Sequence, residues 1–211
     1  MRRAEGGTRS AQSIEGPTDV TLSREPAAGE IDGRSVDAPP DAPPPRDSIS
    51  IVEAPVAPPS GWTDQLTGTD GPRFWDRVIL SEEARIQRYK RPATVVLAEI
   101  LGLTRLARLW GPDVAERTLL IAARTLAKEI RTSDQIARID PIRFGILLTE
   151  TTEIAAINFV ERARVACERD LRVQSEVVGV AFGWASPPKG ASLSEAVTLA
   201  ERRLRAEMDE G

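Results

Sequence analysis

Three arginines and two aspartates crowd one short stretch, Arg131-Thr-Ser-Asp-Gln-Ile-Ala-Arg-Ile-Asp-Pro-Ile-Arg-Phe-Gly-Ile-Leu-Leu148. Two residues separate Arg131 from Asp134. A guanidinium is a planar fork of donors suited to a phosphate or a carbonyl edge, and a nearby carboxylate accepts what the fork cannot. At a helix-to-strand corner this spacing can present both side chains on one surface, and both are expected there. The plainer roles are structural: Arg131 favours a helix C-terminal dipole, and Asp134 caps a turn. The chain has no histidine, which removes the commonest general base and metal ligand. Chemistry would have to run on carboxylates, lysines or hydroxyls.

The elements that position these residues occupy the last three quarters of the 211-residue chain. Residues 1–60 hold ten of the sixteen prolines, no Trp, Phe or Tyr, and six arginines against ten acidic residues. Residues 61–211 carry 22 basic and 22 acidic residues, so the net charge of −4 belongs to the first segment. That segment is expected to be a disordered acidic tail, because few large apolar groups oppose ordering entropy. Its run Ala38-Pro-Pro-Asp-Ala-Pro-Pro-Pro45 favours extended polyproline II. One apolar island, Ser48-Ile-Ser-Ile-Val52, is either plain linker or a docking strand for a partner's sheet edge. A neutral domain gives no reason to expect nucleic acid as a partner. No apolar run is long enough for a membrane span, and no apolar stretch follows Met1-Arg-Arg, so a cytoplasmic protein is expected. A single cysteine, Cys167, excludes an internal disulfide and reads as a core residue.

Periodicity predicts a domain from about Gly61 to Gly211. An amphipathic helix over 73–90 presents Phe74, Val78, Ile86 and Tyr89, and Pro92 ends it. Thr94–Ile100 is a buried central strand. A helix follows from Leu103 and breaks at Gly111-Pro112. A longer one runs to Ile130, with Val114, Leu119, Leu120, Ala123, Leu126 and Ile130 as its core side. Gln135–Ile139 and Arg143–Leu148 are strands joined at an Asp-Pro turn. Glu153–Asp170 is a helix with Ile154, Ile157, Val160 and Cys167 inward, and Glu176–Trp184 a strand. Ser192 with Glu195 forms a capping box for a last helix carrying Ala196, Ala200 and Leu204. The fold class is α+β, a central antiparallel-rich sheet with helices packed on it.

This order and these residues resemble the GGDEF family, the bacterial diguanylate cyclases. Asp64-Gln-Leu-Thr-Gly68 is similar to the family's opening Asp-x-Leu-Thr-Gly element, read here as turn and cap chemistry. The Arg-x-x-Asp pair stands at the family spacing before the signature turn. The five signature positions, Gly-Gly-Asp/Glu-Glu-Phe in the family, are Asp140, Pro141, Ile142, Arg143 and Phe144. Only the Phe survives.

The resemblance implies a reaction in which a 3′-hydroxyl of one GTP attacks the α-phosphate of another, with two divalent ions held by carboxylates. By register the strand acid is Glu99 and the second acid of that pattern is Leu101. The turn ligand falls at Ile142 and Arg143. A fixed positive charge about 4 Å from each unit of cation charge costs on the order of 4 kcal/mol at an effective dielectric near 20. The family's guanine-reading Asn and Asp fall at Ala107 and Glu116, and its phosphate-binding Lys at Met208. No catalytic residue, metal ligand or cofactor is therefore expected. The implied inhibitory site, where the family's Arg and Asp hold cyclic di-GMP, would comprise Arg131 and Asp134, with Arg138 able to add charge nearby. The reading is a catalytically inactive signalling domain, with cyclic di-GMP or a signalling protein as partner. The alternative is residual GTP binding or weak cyclase activity through Glu99.

Overall fold

Nine residues of almost uninterrupted apolar character, Ala93–Leu101, form β1 at the centre of a four-stranded sheet. A strand buried on both faces needs no polar alternation, and side chains of β1 feed two cores in turn. Val96, Ala98 and Ile100 enter one, and Ala93, Val95 and Leu97 the other. The structure, a computed structural model, describes residues 54–210. The Ile49–Val52 island lies outside the described residues.

The remaining elements are α1 (Pro72–Tyr89), α2 (Leu103–Trp110), α3 (Pro112–Glu129), β2 (Gln135–Asp140), β3 (Arg143–Thr149), α4 (Glu153–Arg172), β4 (Gly179–Ala185) and α5 (Leu193–Glu210). Strand order is β2-β3-β1-β4, and every pairing is antiparallel. Helices α2, α3 and α4 cover the first core, and α1 and α5 the second. The order of elements agrees with the sequence reading throughout. The capping box also forms: the Ser192 N–H donates to Glu195 Oε2 at 2.7 Å and the Glu195 N–H to Ser192 Oγ at 3.2 Å.

Packing departs from expectation at four places. On α1 the buried positions are Trp75, Ile79 and Glu82, one residue off the expected face, and Tyr89 is exposed. Trp75 lies over Gly145 of β3, where a Cβ would meet its ring at 2.8 Å. The helix turns so that its indole fills that gap. On α4, Ile154 and Ile157 face solvent, whereas Ala156, Phe159, Val160, Ala163 and Cys167 are buried. The inward stripe is mostly small residues, which let the helix lie close to its neighbours but carry little hydropathic signal. Strand β4 begins at Gly179, not Glu176, because residues 175–178 turn back against the β1–α2 corner. There Gly102 adopts φ +79, and a Cβ would strike the Val177 carbonyl oxygen at 2.0 Å.

The fourth departure concerns the domain boundary. Val56 is buried in the first core, and the Ala57 carbonyl accepts a hydrogen bond from Arg138. Packing thus starts before Gly61. No described helix is long and apolar enough to cross a membrane.

Candidate functional site

The signature turn is short. Pro141 and Ile142 join β2 to β3, and the Ile142 carbonyl accepts the Ile100 N–H at 2.9 Å. This antiparallel register sets Glu99 directly opposite Arg143. Their side chains meet: Arg143 Nε donates to Glu99 Oε2 at 2.9 Å and Nη2 to the same oxygen at 2.5 Å. Asp140 approaches the guanidinium from the other side at 3.7 Å. A guanidinium therefore holds the one carboxylate that the family pattern offers a metal ion. Among the described residues no three carboxylate, thiol or imidazole groups converge as metal ligands. These residues do not fit a two-ion centre.

Neighbouring positions have passed into the packing. Ile142 and Ala107 rest against the first core, and Leu101 and Met208 against the second. Each sits where the resemblance places an acid or a nucleotide contact. Apolar burial of this kind stabilises the fold and supplies no polar group to a ligand.

Arg138 does not add charge to a ligand surface as expected. It is 1% exposed and ion-paired to the equally buried Asp64 at 3.0 Å. Its other donors reach the Pro141 carbonyl at 2.8 Å and the Ala57 carbonyl. A buried guanidinium needs this full set of acceptors. One side chain thereby ties the signature turn, the opening loop and the lead-in segment together. Asp64 accepts from the Thr67 N–H at 2.8 Å and its hydroxyl at 2.6 Å, as turn and cap chemistry predicts. Burial raises the Asp64 carboxyl, but the Thr67 bonds and the Arg138 charge outweigh it and hold the group below its ordinary value.

Arg131 and Asp134 lie at the α3–β2 corner, and both line a pocket of about 260 Å³. Only Arg131 is exposed; Asp134 is 8% exposed, against the expectation that both would lie at the surface. Asp134 Oδ2 accepts the Arg131 N–H at 3.0 Å, and Oδ1 accepts the Thr149 N–H at 3.1 Å. The carboxylate thus clasps the corner to the end of β3. Among the described residues the Arg131 guanidinium has no hydrogen-bond or ion-pair partner. Sequence reasoning missed a second cation on this pocket, Arg162 of α4. Its Nη2 donates to the Glu129 carbonyl at 3.2 Å and its Nε to the Glu129 carboxylate at 3.3 Å, so it sits at the C-terminal end of α3. Nothing in local spacing marks Arg162; only the α3–α4 packing brings it to Arg131.

The fold is that of an α+β nucleotide-cyclase-like domain, with an antiparallel sheet between two helical layers and a tight β2–β3 turn at the site. A family model described as "Diguanylate cyclase, GGDEF domain" matches residues 61–211. The chain belongs to the GGDEF family. It is 27% identical over 99 residues to the probable diguanylate cyclase DgcC of Escherichia coli K12, covering 47% of this chain and 27% of that protein. It is 26% identical over 106 residues to the E. coli K12 diguanylate cyclase DosC, covering 50% and 23%. The matched segments span about a quarter of these relatives' length. Among solved structures it resembles the diguanylate cyclase SiaD of Pseudomonas aeruginosa in complex with its activator SiaC, at TM-score 0.65 and 25% identity over 71% of this chain and 58% of that one. The GGDEF domain of DgcB from Caulobacter crescentus, solved with c-di-GMP, shares the fold at TM-score 0.66 and 16% identity over 72% and 92%.

Proposed function

We propose that this chain is a catalytically silent GGDEF domain that binds cyclic di-GMP at the pocket built by Arg131, Asp134 and Arg162. The Glu99–Arg143 ion pair carries the first half of this reading. A divalent ion at Glu99 would have to displace a guanidinium bonded through two nitrogens, and a fixed cation would remain beside it. The open Arg131 fork, next to a second arginine, supports the other half, since paired guanidinium groups suit the phosphodiesters and guanine edges of a cyclic dinucleotide. A calorimetric titration with cyclic di-GMP tests binding, and incubation with GTP and Mg²⁺ or Mn²⁺ tests silence. Saturable heat with no cyclic di-GMP formed is the expected result. Product above a protein-free control would sink the silent reading and favour weak cyclase activity through Glu99.

A second reading keeps the silence and makes the ligand a protein. Leu109 and Trp110 at the end of α2 are 57% and 68% exposed, adjacent, and flanked by the exposed Arg105 and Arg108. Exposed apolar clusters of this kind mark interaction surfaces. Absence of heat with cyclic di-GMP at high concentration would move the conclusion to this version.

A further inference from the structure

The Arg131 pocket has an acid at its rim that the binding reading leaves idle. Its lining includes two arginines, Arg131 and Arg162, and three acids, Glu129, Asp134 and Glu150. Two of the acids are engaged within the pocket's own frame: Asp134 by backbone N–H groups and Glu129 by Arg162. Glu150 is different. It bonds Arg91 at the edge of β1 and lies 3.9 Å from Arg85 of α1. Those two arginines line a separate pocket of about 350 Å³ with Tyr89 and Glu82. Glu150 therefore stands between the two cavities.

Its backbone is also held in an unusual state. Glu150 adopts φ +50, the left-handed region, where a residue with a Cβ is disfavoured. The next residue, Thr151, turns its hydroxyl back onto the Thr149 carbonyl at 2.9 Å. The chain bends sharply here, and the carboxylate is directed to Arg91 and Arg85 with its own body left on the pocket wall.

We infer that Glu150 sets the affinity of the Arg131 pocket, as an internal anion that opposes phosphate and keeps Arg91 neutralised. The inference rests on the cyclic di-GMP reading of that pocket. A ligand with two phosphodiesters brings two negative charges beside Glu150. With the carboxylate ionised, the four nearby guanidinium groups are partly cancelled. With it removed, Arg91 loses its counter-ion while Arg85 keeps Glu82 at 2.9 Å, and the field over the pocket becomes more positive. Because the groups are half-exposed, the effect is moderate and is screened by salt.

Glu150→Gln keeps the side chain's size and removes its charge. Cyclic di-GMP, titrated by calorimetry, is expected to bind it at least about threefold more tightly than wild type, with a steeper loss of affinity as salt rises. Glu150→Gly removes the charge and relieves the positive φ, and the same gain is expected. Glu176→Gln changes net charge equally at an exposed position outside the pocket lining, and no gain is expected. If wild type binds and Glu150→Gln binds no better, the inference is overturned and the binding reading stands. A gain confined to Glu150→Gly would trace the effect to backbone strain and also overturn it. An equal gain in Glu176→Gln would reduce it to bulk charge. Binding by Glu150→Gln alone would uphold the inference and remove wild type as a receptor. No heat from any variant would end both.

Discussion

Arg143 stands opposite Glu99 and bonds its carboxylate. In an antiparallel pair, directly opposed side chains interact strongly, and like charges there destabilise. Rebuilding the family turn through Asp140→Gly, Pro141→Gly, Ile142→Asp and Arg143→Glu would place two carboxylates face to face. We expect that variant to make no cyclic di-GMP, because Ala107 and Met208 remain, and to melt below wild type; restored turnover would show that the turn alone had been limiting. At the pocket the two motif residues should behave differently. Arg131→Ala removes an unpaired guanidinium, so cyclic di-GMP affinity should fall at least roughly tenfold with the melting temperature unchanged. Asp134→Ala strips the buried Thr149 N–H and the half-buried Arg131 N–H of their acceptor and should cost about 1–3 kcal/mol of stability as well. Equal melting temperatures for the two variants would contradict the corner-clasp role of Asp134.

Among the elements, the segment before α1 matters more than its composition suggests. Val56 is buried and the Ala57 carbonyl satisfies Arg138. A chain starting at residue 54 should therefore melt several degrees above one starting at residue 61, given about 2–4 °C per kcal/mol for a domain of this size. Coincident melting curves would show the lead-in to be dispensable. The same hub gives a pH dependence. The Asp64 carboxyl lies below its ordinary value in the folded state, so its contribution is present above the unfolded value near 3.8 and is lost as pH falls through the folded one. Asp64→Ala leaves Arg138 buried without its counter-ion and should cost about 3–5 kcal/mol at neutral pH, with the difference from wild type shrinking in acid. Denaturant titrations of both proteins at neutral and acid pH would measure this.

Across the whole molecule, the two cores share one sheet, so opening either exposes the other. Cys167 reports on this. Burial, reinforced by the charges of Asp170, Glu129 and Glu168, pushes its thiol up to about 12. A thiol so protected is unreactive. Alkylation of the native protein should proceed only at the rate of global unfolding and accelerate in denaturant. Rapid labelling under native conditions would show that α4 detaches locally.

Element types and order were legible in the chain because they rest on local signals: apolar runs, Pro92 and Gly111-Pro112 as breakers, and the Ser192–Glu195 cap. The turn Asp140-Pro-Ile-Arg-Phe144 was legible for the same reason, since it is five consecutive positions. What tertiary structure decided lies between residues far apart. The Glu99–Arg143 pair spans 44 positions and the Asp64–Arg138 pair 74, and neither has a periodicity. Arg162 meets the Arg131 pocket only because α4 packs on α3. The inward face of α4 was hidden because alanines carry it, and Asp134 proved buried because the β3 end folds over its carboxylate. Local sequence dictates which hydrogen bonds a segment makes with itself; which distant charges must share a buried space follows only once the sheet has set its register.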